Sequence, residues 1–237
     1  MAKGYYDIHC HILPHVDDGS RSTAMSKDML RIAYANGIRH IILTPHYMIG
    51  RFEKGRDEIY DQYRLFLAKV QDEFPDIEFM LGREIFFGED IAELLQENVV
   101  STLNDTDYAL IEFHPTATAD YIAQSLYKVE NAGYHIERYP DLFKNIKMIE
   151  QIIEGGAYIQ VNASSVEGRL GGGVKRQIIK MMKKGLVHFV ATDAHSNRSR
   201  APQLEECIRY IEKKLGSDYV KELFIDNPEK MVHNEYI

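Results

Sequence analysis

The segment DIHCHILPHVDDG, residues 7–19, contains two histidines one residue apart and two aspartates shortly after them. His9 and His11 are two positions apart, so both imidazoles project to the same side of an extended strand. Two imidazoles on one side of a strand can bind one metal ion together. Asp17 and Asp18 add carboxylates close by. The spacing therefore indicates a metal site at the end of a first strand.

Further imidazoles and carboxylates come directly after the later apolar runs of the chain. In order, they are His46, Glu84, Glu112, His135, Asp193 and His195. Any one of them alone is more often a hydrogen-bonded loop residue or a solvated helix cap than a ligand. Their repetition after successive apolar runs favours one shared metal site. A set of imidazoles and carboxylates without a thiolate suits a site for manganese, iron or zinc. It does not suit a structural zinc site, which is rich in cysteines.

Short apolar runs followed by turn residues predict the strands that position these ligands. The runs are 5–8, 40–43, 77–81, 108–113, 157–161 and 187–191. Amphipathic segments between them, such as 22–36 and 174–184, predict helices that end near glycine. This alternation predicts an α/β fold with a parallel sheet, and a length of 237 residues favours closure into a barrel. The strands of such a barrel share one carboxyl-terminal face, where the ligands would meet.

The composition argues against several functional classes. A net charge of -8 disfavours a general nucleic-acid binder, and no segment is long and apolar enough to predict a membrane span. The first residues lack the pattern of an export signal, so we expect a cytoplasmic protein. A nucleotide triphosphatase is disfavoured because the chain has no glycine-rich phosphate loop that ends in Lys-Ser or Lys-Thr.

The two cysteines do not fit a thiolate-based tyrosine phosphatase. That route needs a cysteine nucleophile and an arginine six residues later. Val16 follows Cys10 at that distance, and Lys213 follows Cys207. Cys10 should point away from the two neighbouring histidines on an extended strand, which predicts a small core residue.

The ordered set of motifs resembles the PHP-type bacterial tyrosine phosphatases, which regulate capsule and exopolysaccharide synthesis beside bacterial tyrosine kinases. The motifs are DIHCHILPHVDDG, TPHY, GREIFF, TLNDTDYALIEF, HIERY, LVHFVATDAH and LFIDNPEKM. The resemblance covers nearly the whole chain and implies one PHP domain over residues 1–237. It implies a distorted (β/α)7 barrel with up to three metal ions, usually manganese, with iron or zinc as alternatives. The implied partner is a tyrosine-phosphorylated bacterial kinase, whose phosphotyrosine is the substrate.

Carried over residue by residue, the resemblance implies three ion sites. The ligands of the first would be His9, His11, Glu84 and Asp193. The second would share Glu84 and add Glu112 and His135. The third would use Asp18, His46 and His195, with Asp17 as the less favoured carboxylate. His15 is expected to be a loop residue.

The resemblance also implies two arginines that bind the phosphate, Arg138 in HIERY and Arg200 in NRSRAP. Hydrolysis of a phosphate monoester rests on positioning and charge neutralisation. Two metal ions can lower the pKa of a bridging water and clamp the phosphoryl oxygens. The arginines would grip the remaining oxygens, and His46 or Asp18 would be the general acid for the leaving group.

One segment departs from the family pattern. The family has a short apolar strand before the histidine of its HxER motif, whereas here only Gly133 and Tyr134 separate the amphipathic segment 119–132 from His135. Crossing a barrel wall takes about five residues of about 3.3 Å each. We therefore expect a missing strand, a barrel that is irregular before His135, and a second ion site that is weak or absent.

Three functions remain open. The leading one is a metal-dependent phosphotyrosine phosphatase that acts on a partner kinase. A histidinol-phosphate-type phosphatase of the same superfamily is the second, although Glu112 in LIEF and the FIDNP tail favour the first. The third is a catalytically weakened regulator that binds the kinase without turnover, which the short segment before His135 would explain. The sequence does not indicate an oligomeric state.

Overall fold

The structure is a computed structural model that describes residues 4–126 and 132–237, without the side chains of residues 132–135 and 137. These residues contain nine β-strands: β1 (Tyr5–Cys10), β2 (Ile38–Leu43), β3 (His46–Tyr47), β4 (Glu78–Leu81), β5 (Glu84–Phe86), β6 (Ala109–Glu112), β7 (Ala132–His135), β8 (Tyr158–Asn162) and β9 (Phe189–Ala191). They also contain eleven α-helices: α1 (Thr23–Ala35), α2 (Arg56–Val70), α3 (Ile91–Gln96), α4 (Ala119–Leu126), α5 (Pro140–Lys144), α6 (Ile146–Glu154), α7 (Ala163–Glu167), α8 (Gly172–Met182), α9 (Glu205–Leu215), α10 (Ser217–Lys221) and α11 (Asn227–Val232). Strands and helices alternate along most of the chain, so the predicted α/β class is confirmed. None of the described helices is long and apolar enough to cross a bilayer.

Every described strand pair is parallel, in the orders β1-β2-β4 and β3-β5-β6-β7-β8-β9. Only Thr44 and Pro45 separate β2 from β3, and only Gly82 and Arg83 separate β4 from β5. Each of these two pairs is therefore one strand position with a bend. The described strands then occupy seven positions, which agrees with the seven units that the resemblance implies.

The two bends place His46 and Glu84 side by side. Beyond the bends, His46 of β3 pairs in register with Glu84 of β5. Gly82 is required in the second bend, because a Cβ there would lie 2.8 Å from Cδ2 and 3.1 Å from Cα of Leu103. A larger residue would push this bend, and Glu84 with it, away from its neighbours.

The buried apolar residues form a large cluster and a small one. Most strands are buried on both faces, as expected for parallel strands that helices cover. The small cluster includes Tyr6, Ile8, Ile42, Met80, Leu110 and Phe189. Ile8 belongs to this cluster but Cys10 belongs to the large one, because the register of β1 shifts between Asp7 and Cys10. Cys10 is a buried core residue, as predicted.

The prediction of a missing strand before His135 is wrong. β7 covers Ala132–His135, and it pairs with both of its neighbours. Gly133 is in register with Leu110 of β6 and with Tyr158 of β8. Of the segment 119–132 that was predicted as a helix, α4 covers Ala119–Leu126 and Ala132 belongs to β7, while residues 127–131 lie outside the described residues. Alanine and glycine carry little strand propensity, so the two neighbouring strands impose an extended conformation that the local sequence does not indicate.

Hydrogen bonds connect the first strand to the last one. The amide of Asp193 donates to the carbonyl of His9 over 2.9 Å, and the amide of His11 donates to the carbonyl of Ala194 over 2.8 Å. The buried carboxylate of Asp7 accepts from the backbone amide of Thr192 over 2.9 Å and from its hydroxyl over 2.5 Å. Burial, as the largest cause, raises the pKa of Asp7 to about 6. These contacts hold the end of β9 beside the end of β1.

We expect Asp7→Ala to lower the free energy of unfolding by about 1–3 kcal/mol, because the buried amide of Thr192 loses its acceptor. Asp7→Asn should cost much less, since its amide oxygen still accepts from the backbone and the Thr192 hydroxyl can turn to accept. Urea unfolding of metal-free protein measures both effects. The exposed Asp72→Ala is the matched control, with an expected change within about 0.5 kcal/mol. Equal stability of the Asp7→Ala and Asp72→Ala variants would contradict this role of Asp7.

Candidate metal centre

The carboxyl-terminal ends of the strands bring the predicted ligands to one rim. Potential ligand atoms form three overlapping groups, and within each group the atoms lie within 4.8 Å of one another. The groups are His9, His11, Glu84 and Asp193; then His11, Asp18, His46 and His195; and last His46, Glu84 and Glu112. Residues from five strand ends therefore meet in one place. Their roles as ligands remain predictions.

The first group has the spacing of one coordination sphere. Nε2 of His9 lies 3.2 Å from Nε2 of His11, and the two nitrogens lie 3.2 and 3.0 Å from Oε2 of Glu84. Oδ1 of Asp193 lies 3.5 and 3.7 Å from the same nitrogens. An ion with bonds of about 2.1 Å has neighbouring ligand atoms about 3.0 to 3.4 Å apart. The three distances among His9, His11 and Glu84 fall in this range and the two to Asp193 are 0.1 and 0.3 Å longer, so the donor types and spacing fit a divalent ion after a small movement of Asp193.

The second group lies on the more exposed side of the first. Oδ1 of Asp18 lies 3.4 Å from Nε2 of His46 and 3.5 Å from Nε2 of His195. The ring of His11 lies against both, with centroid distances of 4.5 Å to His46 and 3.8 Å to His195. Hydrogen bonding to His195, as the largest cause, holds the pKa of the Asp18 carboxyl well below its usual range. Asp18 is therefore an ionised carboxylate at neutral pH.

The third group joins His46 to two carboxylates. Nδ1 of His46 lies 3.1 Å from Oε2 of Glu84 and 3.8 Å from Oε2 of Glu112. The sequence predicts His135 as the partner of these two acids. The side chain of His135 lies outside the described residues, although its backbone ends β7 opposite Gln160 of β8. Glu84 belongs to both the first and the third group, as expected for a bridging ligand.

Asp17 supports the centre from behind. Its Oδ2 lies 2.7 Å from Nδ1 of His11 and accepts from the backbone amide of His46 over 3.0 Å, while its Oδ1 accepts from the amide of Gly19 over 2.9 Å. Burial would lower the pKa of His11, but Asp17 and Glu84 outweigh it and raise this pKa to about 10. An imidazole whose Nδ1 donates to a carboxylate keeps Nε2 for a metal ion. Asp17 therefore orients His11, a role that the sequence did not indicate.

Two polar residues of β8 complete the support. The amide nitrogen of Gln160 lies 3.0 Å from Nδ1 of His9, and Asn162 donates to Oδ2 of Asp193 over 2.8 Å. Sequence reasoning missed both residues. The signal was present, since Gln160 and Asn162 are polar residues in the otherwise apolar end of a strand, IQVN.

Both predicted arginines reach the centre. Nη1 of Arg138 donates to Oε1 of Glu112 over 2.6 Å, and its Nη2 donates to Oδ2 of Asp193. Nη2 of Arg200 lies 2.8 Å from the same oxygen of Asp193. The guanidinium groups remain partly open to solvent, with side-chain exposures of 30% and 44%. Asp193 thus connects the first ligand group to two cations at the surface.

The remaining candidates from the sequence lie where they were predicted. His15 is exposed in the loop after β1. Cys10 and Cys207 are both buried free cysteines, and burial raises the pKa of each thiol well above its usual value. A buried, protonated thiol is a poor nucleophile, which agrees with the absence of the cysteine-arginine pattern from the sequence.

Comparison with known proteins decides the family. Residues 5–233 match the family described as "Capsular polysaccharide synthesis, CpsB/CapC". The chain belongs to the CpsB/CapC family. It is 34% identical to the tyrosine-protein phosphatase CpsB of Streptococcus pneumoniae, with 98% of this chain and 99% of the relative covered. It is 33% identical to the tyrosine-protein phosphatase YwqE of Bacillus subtilis strain 168, with 98% and 92% covered.

Solved structures agree with this membership. The chain matches a structure from a study of YwqE from Bacillus subtilis and CpsB from Streptococcus pneumoniae, described as unique metal-dependent tyrosine phosphatases. The TM-score is 0.90 at 31% identity, over 98% of this chain and 96% of the other. A histidinol phosphate phosphatase from Lactococcus lactis gives a TM-score of 0.56 at 14% identity, over 90% and 94%, which shows a shared fold alone. The predicted resemblance to the PHP-type tyrosine phosphatases is confirmed.

Arg83 holds the loop that carries His46. Its side chain is 1% exposed, and it donates to the carbonyls of Pro45, His46 and Lys54 over 3.1, 2.6 and 2.9 Å. Among the described residues it has no salt bridge to a carboxylate, and burial lowers its pKa to about 10. Within the same loop, the ring of Phe52 stacks on His46 at 5.7 Å. A buried cation thus fixes the loop over 46–54 through backbone oxygens, another contact that the sequence did not indicate.

We expect Arg83→Met and Arg83→Lys each to weaken the binding of an ion that depends on His46 by about 10-fold or more, as loss of supporting contacts does in metal sites. Lysine keeps the charge but lacks the planar fork that reaches three carbonyls. Calorimetric titration of metal-free protein with Mn²⁺ measures the affinity, and Arg31→Met on the surface is the control.

The double variant with His46→Ala separates positioning from general destabilisation. If Arg83 acts through His46, the double variant should bind no more weakly than His46→Ala alone. Additive losses, or unchanged binding by Arg83→Met, would contradict the positioning role.

Proposed function

We propose that this chain hydrolyses phosphotyrosine by a metal-dependent mechanism that uses no cysteine nucleophile. The enzymatic activity follows from its family membership and from the curated tyrosine phosphatases that it resembles over its full length. Manganese as the metal, up to three ions, a bacterial tyrosine kinase as the partner and the cytoplasm as the location belong to the same proposal. They rest on the resemblance and on the donor atoms at the strand ends.

The observation that carries the proposal is the shared use of Asp193. Its Oδ1 lies in the group with His9 and His11, while its Oδ2 contacts Arg138 and Arg200. One carboxylate therefore separates the ligand atoms that would bind a metal ion from the guanidinium groups that would bind an anion. A phosphate monoester needs both, because its charge must be neutralised while the ester bond breaks.

Each group of residues has a separate task in this proposal. The first group, with Glu84 shared by the third, would hold ions that polarise the phosphoryl oxygens and lower the pKa of a water molecule. Arg138 and Arg200 would bind the remaining phosphoryl oxygens through paired N–H donors. Asp17 and Gln160 would keep the rings of His11 and His9 in place.

The tyrosine leaving group needs little general-acid catalysis from the protein. A phenol has a pKa near 10, so a tyrosine oxygen departs more easily than an alkoxide. Asp18 is a poor general acid because hydrogen bonding to His195 keeps it ionised. We assign Asp18, His46 and His195 to ion binding.

Histidinol phosphate is the competing substrate. The support for it is a shared fold with a histidinol phosphate phosphatase at low identity, and the full-length relatives are tyrosine phosphatases. A regulator without turnover was suggested by a missing strand, and β7 removes that reason.

We expect the manganese-loaded protein to hydrolyse a phosphotyrosyl peptide with a higher kcat/KM than histidinol phosphate. Glu84→Gln and Asp193→Asn should each lower kcat by at least about 100-fold, since both remove a negative ligand oxygen. Glu97→Gln at an exposed position is the control and should leave kcat unchanged. Preference for histidinol phosphate would overturn the proposed substrate, and full activity of Glu84→Gln would overturn the proposed site.

We expect metal-free protein to bind Mn²⁺ at more than one site, because the three groups use overlapping but different donor atoms. Counting bound manganese by elemental analysis after gel filtration gives the stoichiometry. His135→Ala should lose one equivalent if His135 completes the group of Glu84 and Glu112. An unchanged stoichiometry in that variant would remove His135 from the ligands. Thermal unfolding should shift upward with Mn²⁺, as it does for any ligand that binds only the folded state.

A further inference from the structure

A cleft opens beside the metal centre on the side of Asp193. Arg138 and Arg200 are among its lining residues, and both contact Asp193. Arg169 and Leu170, from the loop between α7 and α8, also line it. The cleft therefore runs from the proposed phosphate site to a segment that the chemistry described above does not use.

The loop that carries Arg169 is held in a defined shape. Gly168 and Gly171 both have a positive φ, at 101° and 95°, which a glycine adopts without strain. The amide of Arg169 donates to the carbonyl of Ser164 over 3.0 Å, and the amide of Gly171 donates to Gly168 over 2.8 Å. The guanidinium of Arg169 donates through Nη1 to the carbonyl of Ser199. This loop is thereby tied to the one that carries Arg200.

The charge of the cleft is positive. Three arginines line it, at positions 138, 169 and 200, in a chain whose net charge is -8. Of the two carboxylates in its lining, Asp193 is engaged by Arg138 and Arg200, and Glu167 lies 3.6 Å from Nε of Arg169. Glu167 thus forms a long ion pair with Arg169, and three arginines against two carboxylates leave the lining with a formal charge of +1.

Arg169 has N–H groups that could donate hydrogen bonds to a ligand. Its side chain is 48% exposed, and among the described residues its Nη2 has no hydrogen-bond partner. The neighbouring Leu170 is 55% exposed. A guanidinium with free N–H groups beside an exposed apolar side chain suits an acidic residue in an extended peptide.

We propose that this cleft binds the polypeptide on one side of the phosphotyrosine, and that Arg169 selects an acidic side chain there. The inference rests on the proposed function and adds a substrate class to it, phosphotyrosyl peptides with a carboxylate close to the phosphorylated residue. Arg138 and Arg200 recognise the phosphate itself, so they cannot distinguish one phosphotyrosine from another. Arg169 and Leu170 supply contacts that depend on the flanking sequence.

The experiment compares substrates with and without flanking residues. The substrates are p-nitrophenyl phosphate and three sets of phosphotyrosyl peptides, in which Glu, Gln or Lys occupies each of the three positions on either side in turn. For the native chain, kcat/KM should be about three- to fivefold higher with Glu than with Gln at one or more positions, the range of a solvent-exposed ion pair. The preference should appear in KM and should weaken at high salt.

Variants of Arg169 test its part directly. Arg169→Gln should abolish the preference for Glu, Arg169→Glu should reverse it towards Lys, and Arg169→Lys should retain part of it. The preference is a ratio of two kcat/KM values for the same variant, so a change in p-nitrophenyl phosphate hydrolysis caused by loss of the contact between Arg169 and Ser199 does not alter it. Arg209→Gln, an exposed arginine on α9 paired with Glu205, is the control and should keep the native preference.

The outcomes separate this inference from the function on which it rests. If the native chain hydrolyses p-nitrophenyl phosphate and the peptides but shows no preference for flanking acids, the inference is wrong and the proposed function stands. If Arg169→Gln slows p-nitrophenyl phosphate hydrolysis and leaves peptide preferences unchanged, Arg169 only holds the loop of Arg200. If the native chain hydrolyses none of these substrates, both proposals are wrong.

Discussion

Carboxylates buried at the strand ends need cations close by, and the rest of the site depends on this requirement. Glu84 and Asp193 are 0% and 3% exposed, and an ionised carboxylate without a partner is strongly disfavoured at such positions. The protein supplies part of the compensation through Arg138 and Arg200 at Asp193. Nitrogens of His9, His11 and His46 lie 3.2, 3.0 and 3.1 Å from Oε2 of Glu84. The raised pKa of His11 makes its ring a cation in the metal-free protein, and a divalent ion would replace that proton, because imidazoles bind metal ions in the neutral form. A divalent ion bound among these acids and imidazoles would therefore stabilise the buried negative charge.

The fold meets this requirement through the ends of its strands. Parallel strands place their carboxyl-terminal ends on one face, so residues from β1, β3, β5, β6 and the segment after β9 meet although the sequence separates them widely. Two local irregularities refine the arrangement. The bends before β3 and β5 set His46 opposite Glu84, and the register of β1 shifts between Asp7 and Cys10, in the part of the strand that carries His9. Asp193 adopts a left-handed backbone with φ of 52°, a conformation that aspartate tolerates better than most residues.

Much of the site could be predicted because its signals are local. Two histidines at a spacing of two indicate a shared side of a strand, and acids directly after apolar runs indicate one rim of a parallel sheet. Contacts made through folded loops could not be predicted in this way. Asp17 supports His11 because the loop after β1 turns back, and Arg83 reaches the carbonyls of residues 45, 46 and 54 across the sheet. β7 was missed for a related reason, since its strand conformation comes from pairing on both sides, whereas Ala132 and Gly133 have little strand propensity of their own.

The most direct test is a crystal structure of the manganese-loaded protein with anomalous data. We expect a strong anomalous peak bonded to Nε2 of His9, Nε2 of His11 and carboxylate oxygens of Glu84 and Asp193, at about 2.1 Å from the nitrogens. We expect further peaks beside His46 that share Glu84 or Asp18. A protein that crystallises with manganese in excess but has no anomalous density between His9, His11 and Glu84 would contradict the central claim.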